Sequence, residues 1–136
     1  MKNFMKIGFG LSVFAIVALA LSCKTETYEN GAALYKSQCA NCHMETGVGL
    51  GELIPTLVQS DYLKNNRAAL ACILQKGLNK TIVVNGKVYS DQPMPANDKL
   101  KAADIANILN YVGTHFGNTE ATFTVEEINQ QLAHCE

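Results

Sequence analysis

Cys39, Cys42 and His43 are the residues that can do chemistry together, within the stretch "KSQCANCHMETGVG" (residues 36–49). Two thiols three positions apart share one face of a helical turn. They can reach two neighbouring points on one bound group, and His43, next in line, can then turn its imidazole toward a metal. C-x-x-C-H is the spacing of covalent haem c attachment, with the histidine as proximal iron ligand. Two other chemistries compete. A structural zinc needs four ligands, usually from two such pairs, and Cys72, Cys135, His115 and His134 form no second C-x-x-C. A thioredoxin-like dithiol expects a preceding strand within a βαβ unit, whereas here a helical pattern precedes the motif and a glycine-rich run follows it. Haem c is the reading that stands.

Haem iron has a second axial position. Met44 is adjacent to His43 and cannot cross to the opposite face, and Met1 and Met5 fall in an apolar N-terminal segment. Met94 remains, 51 residues after the histidine and bracketed by Pro93 and Pro95 in "DQPMPAN". Residues before proline are biased to extended backbone, so this segment is expected to be extended and stiff. His115 and His134 are the fallback ligands, each reading more readily as a surface residue. A thioether ligand raises the potential relative to two histidines.

The elements that must position these residues follow from pattern. The 136 residues suggest one domain. Residues 1–22 have the layout of an export signal: Lys2 and Lys6, then "IGFGLSVFAIVALALS" without a charge, then polar sequence. Those sixteen residues are short for a bilayer core, which needs about 20 in a helix. Ser22 before Cys23 resembles the lipobox of bacterial lipoproteins, where the signal is cut before a cysteine that is then lipidated. Ala20 stands where that pattern has Leu, Val or Ile. Ordinary cleavage and an uncleaved anchor are the alternatives. Each places the domain outside the cytoplasm. Removing 22 residues leaves 114, with nine Lys and Arg against 12 Asp and Glu. That mildly acidic balance gives no support to nucleic-acid binding, which wants a basic patch.

Residues 23–29 read as a polar tether, and residues 30–118 as the domain. A helix is expected over about 31–41 with Asn30 as a candidate cap. Gly47, Gly49, Gly51 and Pro55 make "METGVGLGELIPTL" a loop. "SDYLKNNRAALACILQKG" has helical periodicity, with Asn65 or Asn66 as cap and Gly77 as stop. "TIVVNGKVYS" carries two β-branched runs about Asn85-Gly86, the preferred pair for a type I′ hairpin. Ile105, Ile108, Leu109, Val112 and Phe116 form one stripe of an amphipathic helix, with Asp104, Asn107 and Asn110 opposite. Lys101 is a poor cap for it. In residues 119–136, Thr124 and Glu127 have capping-box spacing, and Val125, Ile128, Leu132 and Cys135 share a face. Exported thiols tend to be oxidised, so Cys72 and Cys135 are either a disulfide worth roughly 3–4 kcal/mol on the chain-entropy model or two lone thiols.

With "CANCH", "GVGLGELIPTL", "MPAN" and "ADIANILNYVGTHFGN" in place, residues 28–117 resemble the monohaem class I cytochrome c family. The resemblance implies a mainly helical class I fold, here with a short β-hairpin inserted before the methionine loop. It implies that the carbonyl of Pro55 orients His43, that Met94 is the axial methionine, and that Gly31 and Tyr35 cross the last core helix at Ile108 and Tyr111. Asn97 stands where many members have an aromatic, which implies a more open haem edge. The tail after Asn118 is extra.

The expected function is membrane-tethered single-electron transfer on the periplasmic side of a bacterial membrane. A terminal oxidase, a nitrogen-oxide reductase or a periplasmic dehydrogenase would be the partner. The alternative is a haem peroxidase or gas sensor, which needs a labile sixth position; no second haem motif and no distal His or Arg at recognisable spacing supports it.

Overall fold

The computed structural model describes residues 26–118 and 122–135. The expected signal, Ser22–Cys23 and the start of the tether lie outside the described residues. Among those described, no helix is long and apolar enough to cross a membrane.

The first helix, α1 (Glu26–Gln38), begins before Asn30, which lies inside it rather than at its cap. The neighbouring glycine serves a different purpose. A Cβ on Gly31 would stand 2.4 Å from the Asn107 carbonyl oxygen and 2.9 Å from Tyr111 Cβ. Gly31 therefore permits the close approach of α1 to the long helix α5 (Ala102–His115). Tyr35, 1% exposed, packs on the rings of Tyr111 and Phe116 at 5.4 and 5.1 Å. The crossing thus falls on Asn107 and Tyr111, while Ile108 faces the cleft described below.

After α1 comes one further turn, α2 (Ala40–His43). The helical periodicity of residues 60–77 is divided between two helices. Ser60 caps α3 (Asp61–Asn65) by accepting from the Leu63 N–H at 3.3 Å. Asn66 both ends that helix, its side-chain amide donating to the Tyr62 carbonyl at 2.8 Å, and opens the next turn, its backbone carbonyl accepting from the Ala69 N–H at 2.9 Å, with no side-chain cap bond. A 3-10 turn (Arg67–Ala69) then leads into α4 (Leu70–Lys76), which Gly77 stops at φ 79°.

Strands β1 (Ile82–Val84) and β2 (Lys87–Tyr89) pair antiparallel, Ile82 with Tyr89, Val83 with Val88 and Val84 with Lys87. Asn85 and Gly86 have φ of 51° and 79°, as a type I′ turn requires. The strand period turns Val84 and Tyr89 inward and leaves Val83 and Val88 exposed.

The apolar stripe of α5 is buried as expected: Ile105, Ile108, Leu109, Val112 and Phe116 join Tyr35 and Leu70 in one core. Asn110 departs from its expected polar face. It is 7% exposed, and its amide donates to the Phe123 carbonyl at 3.0 Å while its carbonyl oxygen accepts from the Phe123 N–H at 2.7 Å. A buried amide that satisfies both groups of one residue fixes that segment in place. Phe123 leads into α6 (Val125–Leu132). Thr124 caps α6, accepting from the Glu127 N–H at 3.1 Å. The Glu127 carboxylate instead accepts two hydrogen bonds from Arg67, at 2.9 and 2.8 Å. That guanidinium lies 3.5 Å over the Phe123 ring. Ile128 is buried, but Val125 at the helix start is exposed. The result is a mainly helical arrangement with one two-stranded antiparallel sheet, as the sequence leads one to expect.

Candidate haem site

The motif sits on the turn where α1 gives way to α2. The Cys39 N–H donates to Tyr35 and the His43 N–H to Cys39, so helical bonding carries through the motif. Cys39 and Cys42 are free, half-buried thiols. Burial pushes the Cys39 thiol up to about 11, with the neighbouring Cys42 adding to the shift, so it is held as the neutral thiol.

His43 Nδ1 lies 3.1 Å from the Pro55 carbonyl oxygen. A carbonyl only accepts, so Nδ1 carries the proton and Nε2 keeps its lone pair. Burial pulls the His43 pKa below its ordinary value, and the bond to Pro55 offsets this only in part. The neutral imidazole, the form that ligates metals, is therefore the favoured one.

The glycine loop brings Pro55 under His43 by folding back on itself. The Gly49 N–H donates to the His43 carbonyl at 3.1 Å and the Leu57 N–H to the Gly47 carbonyl at 2.7 Å. Leu50 and Ile54 exchange backbone bonds across the bend. Gly49 has φ 73°, and a Cβ there would meet the Ile54 oxygen at 2.2 Å and the Pro55 oxygen at 2.6 Å. Tyr35 steadies the loop's start, its hydroxyl donating to the Met44 carbonyl at 2.7 Å. Met44 itself is 41% exposed and outside the cleft.

Cys39, Cys42, His43, Pro55 and Met94 line one cleft of about 410 Å³. The loop supplies Ile54 and Leu57. Leu70, Ile73 and Leu74 come from α4, Ile82, Val84 and Tyr89 from the hairpin, and Ile108, Leu109 and Val112 from α5. Met94 sits between Pro93 and Pro95 on a segment bonded to Leu78. These residues fit a haem: apolar walls for the ring, two thiols on one turn, an imidazole nitrogen with its lone pair free, and a thioether. A larger surface groove of about 800 Å³, beside Tyr35, Tyr111 and His115, contains none of the motif residues.

The fallback histidines stand apart. His115 is exposed and stacks on Tyr111 at 4.7 Å. His134 is exposed, with Nδ1 2.8 Å from the Gln130 carbonyl oxygen. Asn97 donates to the Gln38 side chain at 2.8 Å, tying the segment after Met94 to the end of α1. Cys72 and Cys135 are joined, S–S 2.07 Å, linking α4 to the chain beyond α6.

Sequence reading missed the hairpin as a wall of the cleft. Its alternation marks an apolar face but not what that face covers. Gly77 is more than the helix stop that its sequence context suggests, since a Cβ there would meet the backbone of residues 94–96.

A cytochrome c family model matches residues 28–116. The chain is 32% identical over 113 residues to a cytochrome c-552 of Thermus thermophilus, covering 76% of this chain and 85% of the relative. A second Thermus thermophilus cytochrome c-552 matches at the same identity over 75% of its length. A fructose dehydrogenase cytochrome subunit of Gluconobacter japonicus is 33% identical over 109 residues, covering 76% of this chain and 22% of the relative. With the C-x-x-C-H turn and the apolar cleft, these matches establish covalently bound haem c as the cofactor and electron carriage as the role. The chain belongs to the class I monohaem cytochrome c family.

Proposed function

We propose that this chain is an exported, lipid-anchored cytochrome that passes single electrons between redox proteins on the periplasmic face of a bacterial membrane. One observation carries the reading: Cys39, Cys42, His43 and Met94 line a single apolar cleft. Cys39 and Cys42 hold the ring through thioethers. His43 would present Nε2 to the iron, and the Pro55 carbonyl fixes both its tautomer and its orientation. Met94 would supply a thioether sulfur to the same iron. The bound iron supplies a one-electron couple. With His43 and Met94 both as ligands no position would be left for a substrate, so the chain's part would be to hold the couple, exclude water and offer a surface to partners.

The partner is a terminal oxidase, a nitrogen-oxide reductase or a periplasmic dehydrogenase. Similarity to a dehydrogenase's cytochrome subunit supports the last class. Lipid on Cys23 would keep the protein at the membrane, with the few residues before α1 as spacer rather than all of 23–29, the chain through residue 118 as the cytochrome domain and residues 119–136 as an extension. Cys23→Ala should then release the protein from the membrane fraction.

The deciding experiment is a visible spectrum. Sharp α and β bands when reduced, and a weak methionine–iron charge-transfer band when oxidised, are expected. Met94→Ala should lose the weak band; a band that persists removes Met94 from the site. Carbon monoxide binding by the reduced wild type would favour the peroxidase or sensor class instead.

A further inference from the structure

Gly77 holds a conformation that its place at the end of α4 does not explain. Its φ of 79° and ψ of −174° belong to a region that is essentially glycine-only. A simple helix stop needs only a left-handed residue. The neighbours account for the difference. A Cβ on Gly77 would stand 2.5 Å from the Met94 carbonyl oxygen, 2.7 Å from the Ala96 nitrogen and 2.9 Å from the Pro95 carbonyl carbon. The backbone of residues 94–96 therefore lies directly against the Gly77 Cα.

The flanking bonds make residues 75–78 a template for residues 94–97. The Leu78 N–H donates to the Met94 carbonyl and the Met94 N–H to the Leu78 carbonyl, both at 2.9 Å. The Asn97 N–H donates to the Gln75 carbonyl at 3.1 Å. Pro93 and Pro95 have no N–H. Met94 is thus the one donor in its triplet, and that donor goes to Leu78. Gly77 sits between the two sets of bonds, where any side chain would push the methionine segment off the end of α4.

We infer that Gly77 is a positioning residue for the axial methionine, setting the distance between α4 and Met94. This rests on the reading of Met94 as the axial ligand.

The test uses the holoprotein. Gly77→Ala should keep its covalently attached haem and its helical circular dichroism. It should lose most of the methionine charge-transfer band, bind carbon monoxide when reduced, and show a lowered potential, since thioether ligation is what raises it. Gly86→Ala is the control. Gly86 has the same φ of 79° but nothing within 4 Å of its Cβ position, so the same measurements should match wild type. A Gly77→Ala protein with a full band and no carbon monoxide binding overturns the inference. If Met94→Ala abolishes the band while Gly77→Ala does not, only this inference fails. If Met94→Ala keeps the band, the ligand assignment fails and takes the inference with it. Should Gly77→Ala give too little holoprotein, hydrogen exchange on wild type decides. Met94 and Leu78 amides protected together support the template, and an unprotected Met94 amide overturns it.

Discussion

His43 and Met94 line the same cleft, but the chain holds them by different means. The His43 side is local. Its bonds run from His43 to Gly49, from Gly47 to Leu57, between Leu50 and Ile54, and from His43 Nδ1 to Pro55. All close within a run of fifteen residues, and Tyr35 braces the start from the core. The Met94 side is held from afar. Three backbone bonds reach it from residues 75–78, across the hairpin that intervenes. Several short-range bonds must break together to free the histidine. Loss of a few long-range ones frees the methionine, and closing that loop again costs chain entropy. The methionine side should therefore be the first to yield.

The largest expected effect removes both sides at once. Cys39→Ser with Cys42→Ser should abolish haem attachment and leave a largely unfolded chain. The residues lining a cleft of about 410 Å³ would then face each other across space that close-packed interiors do not tolerate. Far-UV circular dichroism of the purified double variant reads the outcome. A cooperatively melting apoprotein would show that the walls pack without the cofactor, and the two-sided picture would lose its basis.

Next in size is a pair of glycines on the histidine side. Gly49→Ala adds a Cβ against the Ile54 and Pro55 oxygens on a positive φ. A cost of about 3 kcal/mol is expected from clash and strain together. Gly51→Ala, also at positive φ but with nothing within 4 Å, should cost about 1 kcal/mol. Urea denaturation of the holoproteins separates them. Equal losses would mean that backbone conformation alone, not the close return under His43, makes this side firm.

The same contrast explains what was legible in the sequence. The histidine side is written in adjacent residues. Cys39, Cys42 and His43 have a spacing with one favoured chemistry, and the glycine run before Pro55 announces a loop. The class I resemblance then added the Pro55 carbonyl. The hairpin was legible too, because Asn85-Gly86 and alternating β-branched residues act locally. Met94 was reached by elimination, but not the surface that holds it. Nothing in "QKGLNK" shows that Gly77 and Leu78 meet residues 94–96. Asn110 was misplaced for a similar reason. A helical period predicts a solvent face only when nothing packs there, and Phe123 does. Glu127 had the spacing of a capping box, yet Arg67, distant in sequence, offers its carboxylate two charge-assisted bonds.

An effect of similar size on stability is expected from Cys72→Ala with Cys135→Ala. The link spans 63 residues, and its loss should cost about 2–4 kcal/mol. The extension braces α4 by other bonds as well: the Gln131 side chain accepts from the Ala71 N–H at 3.1 Å, and Arg67 holds Glu127. The fold should therefore persist. Because α4 carries Gly77, the loosening should reach the methionine side first. Under urea, the charge-transfer band should disappear well before global unfolding, with a wider gap than in wild type. A band that survives to the unfolding midpoint would show both sides failing as one unit.

The smallest effect concerns a direct tie between the two regions. Lys87, on the hairpin, donates to the Gly51 carbonyl at 3.0 Å and pairs with the Glu52 carboxylate. The bond to Glu52 raises the Lys87 pKa, so the amine stays charged across the neutral range. The Glu52 side chain is largely exposed, and exposed pairs contribute little because solvent and salt screen them. Lys87→Ala should melt with wild type, and high salt should move neither protein relative to the other. If the variant instead melts clearly lower, and salt lowers wild type toward it, the hairpin and the glycine loop are mechanically joined. The methionine side would then borrow its firmness from the histidine side, and the order of yielding argued above would have to be reversed or abandoned.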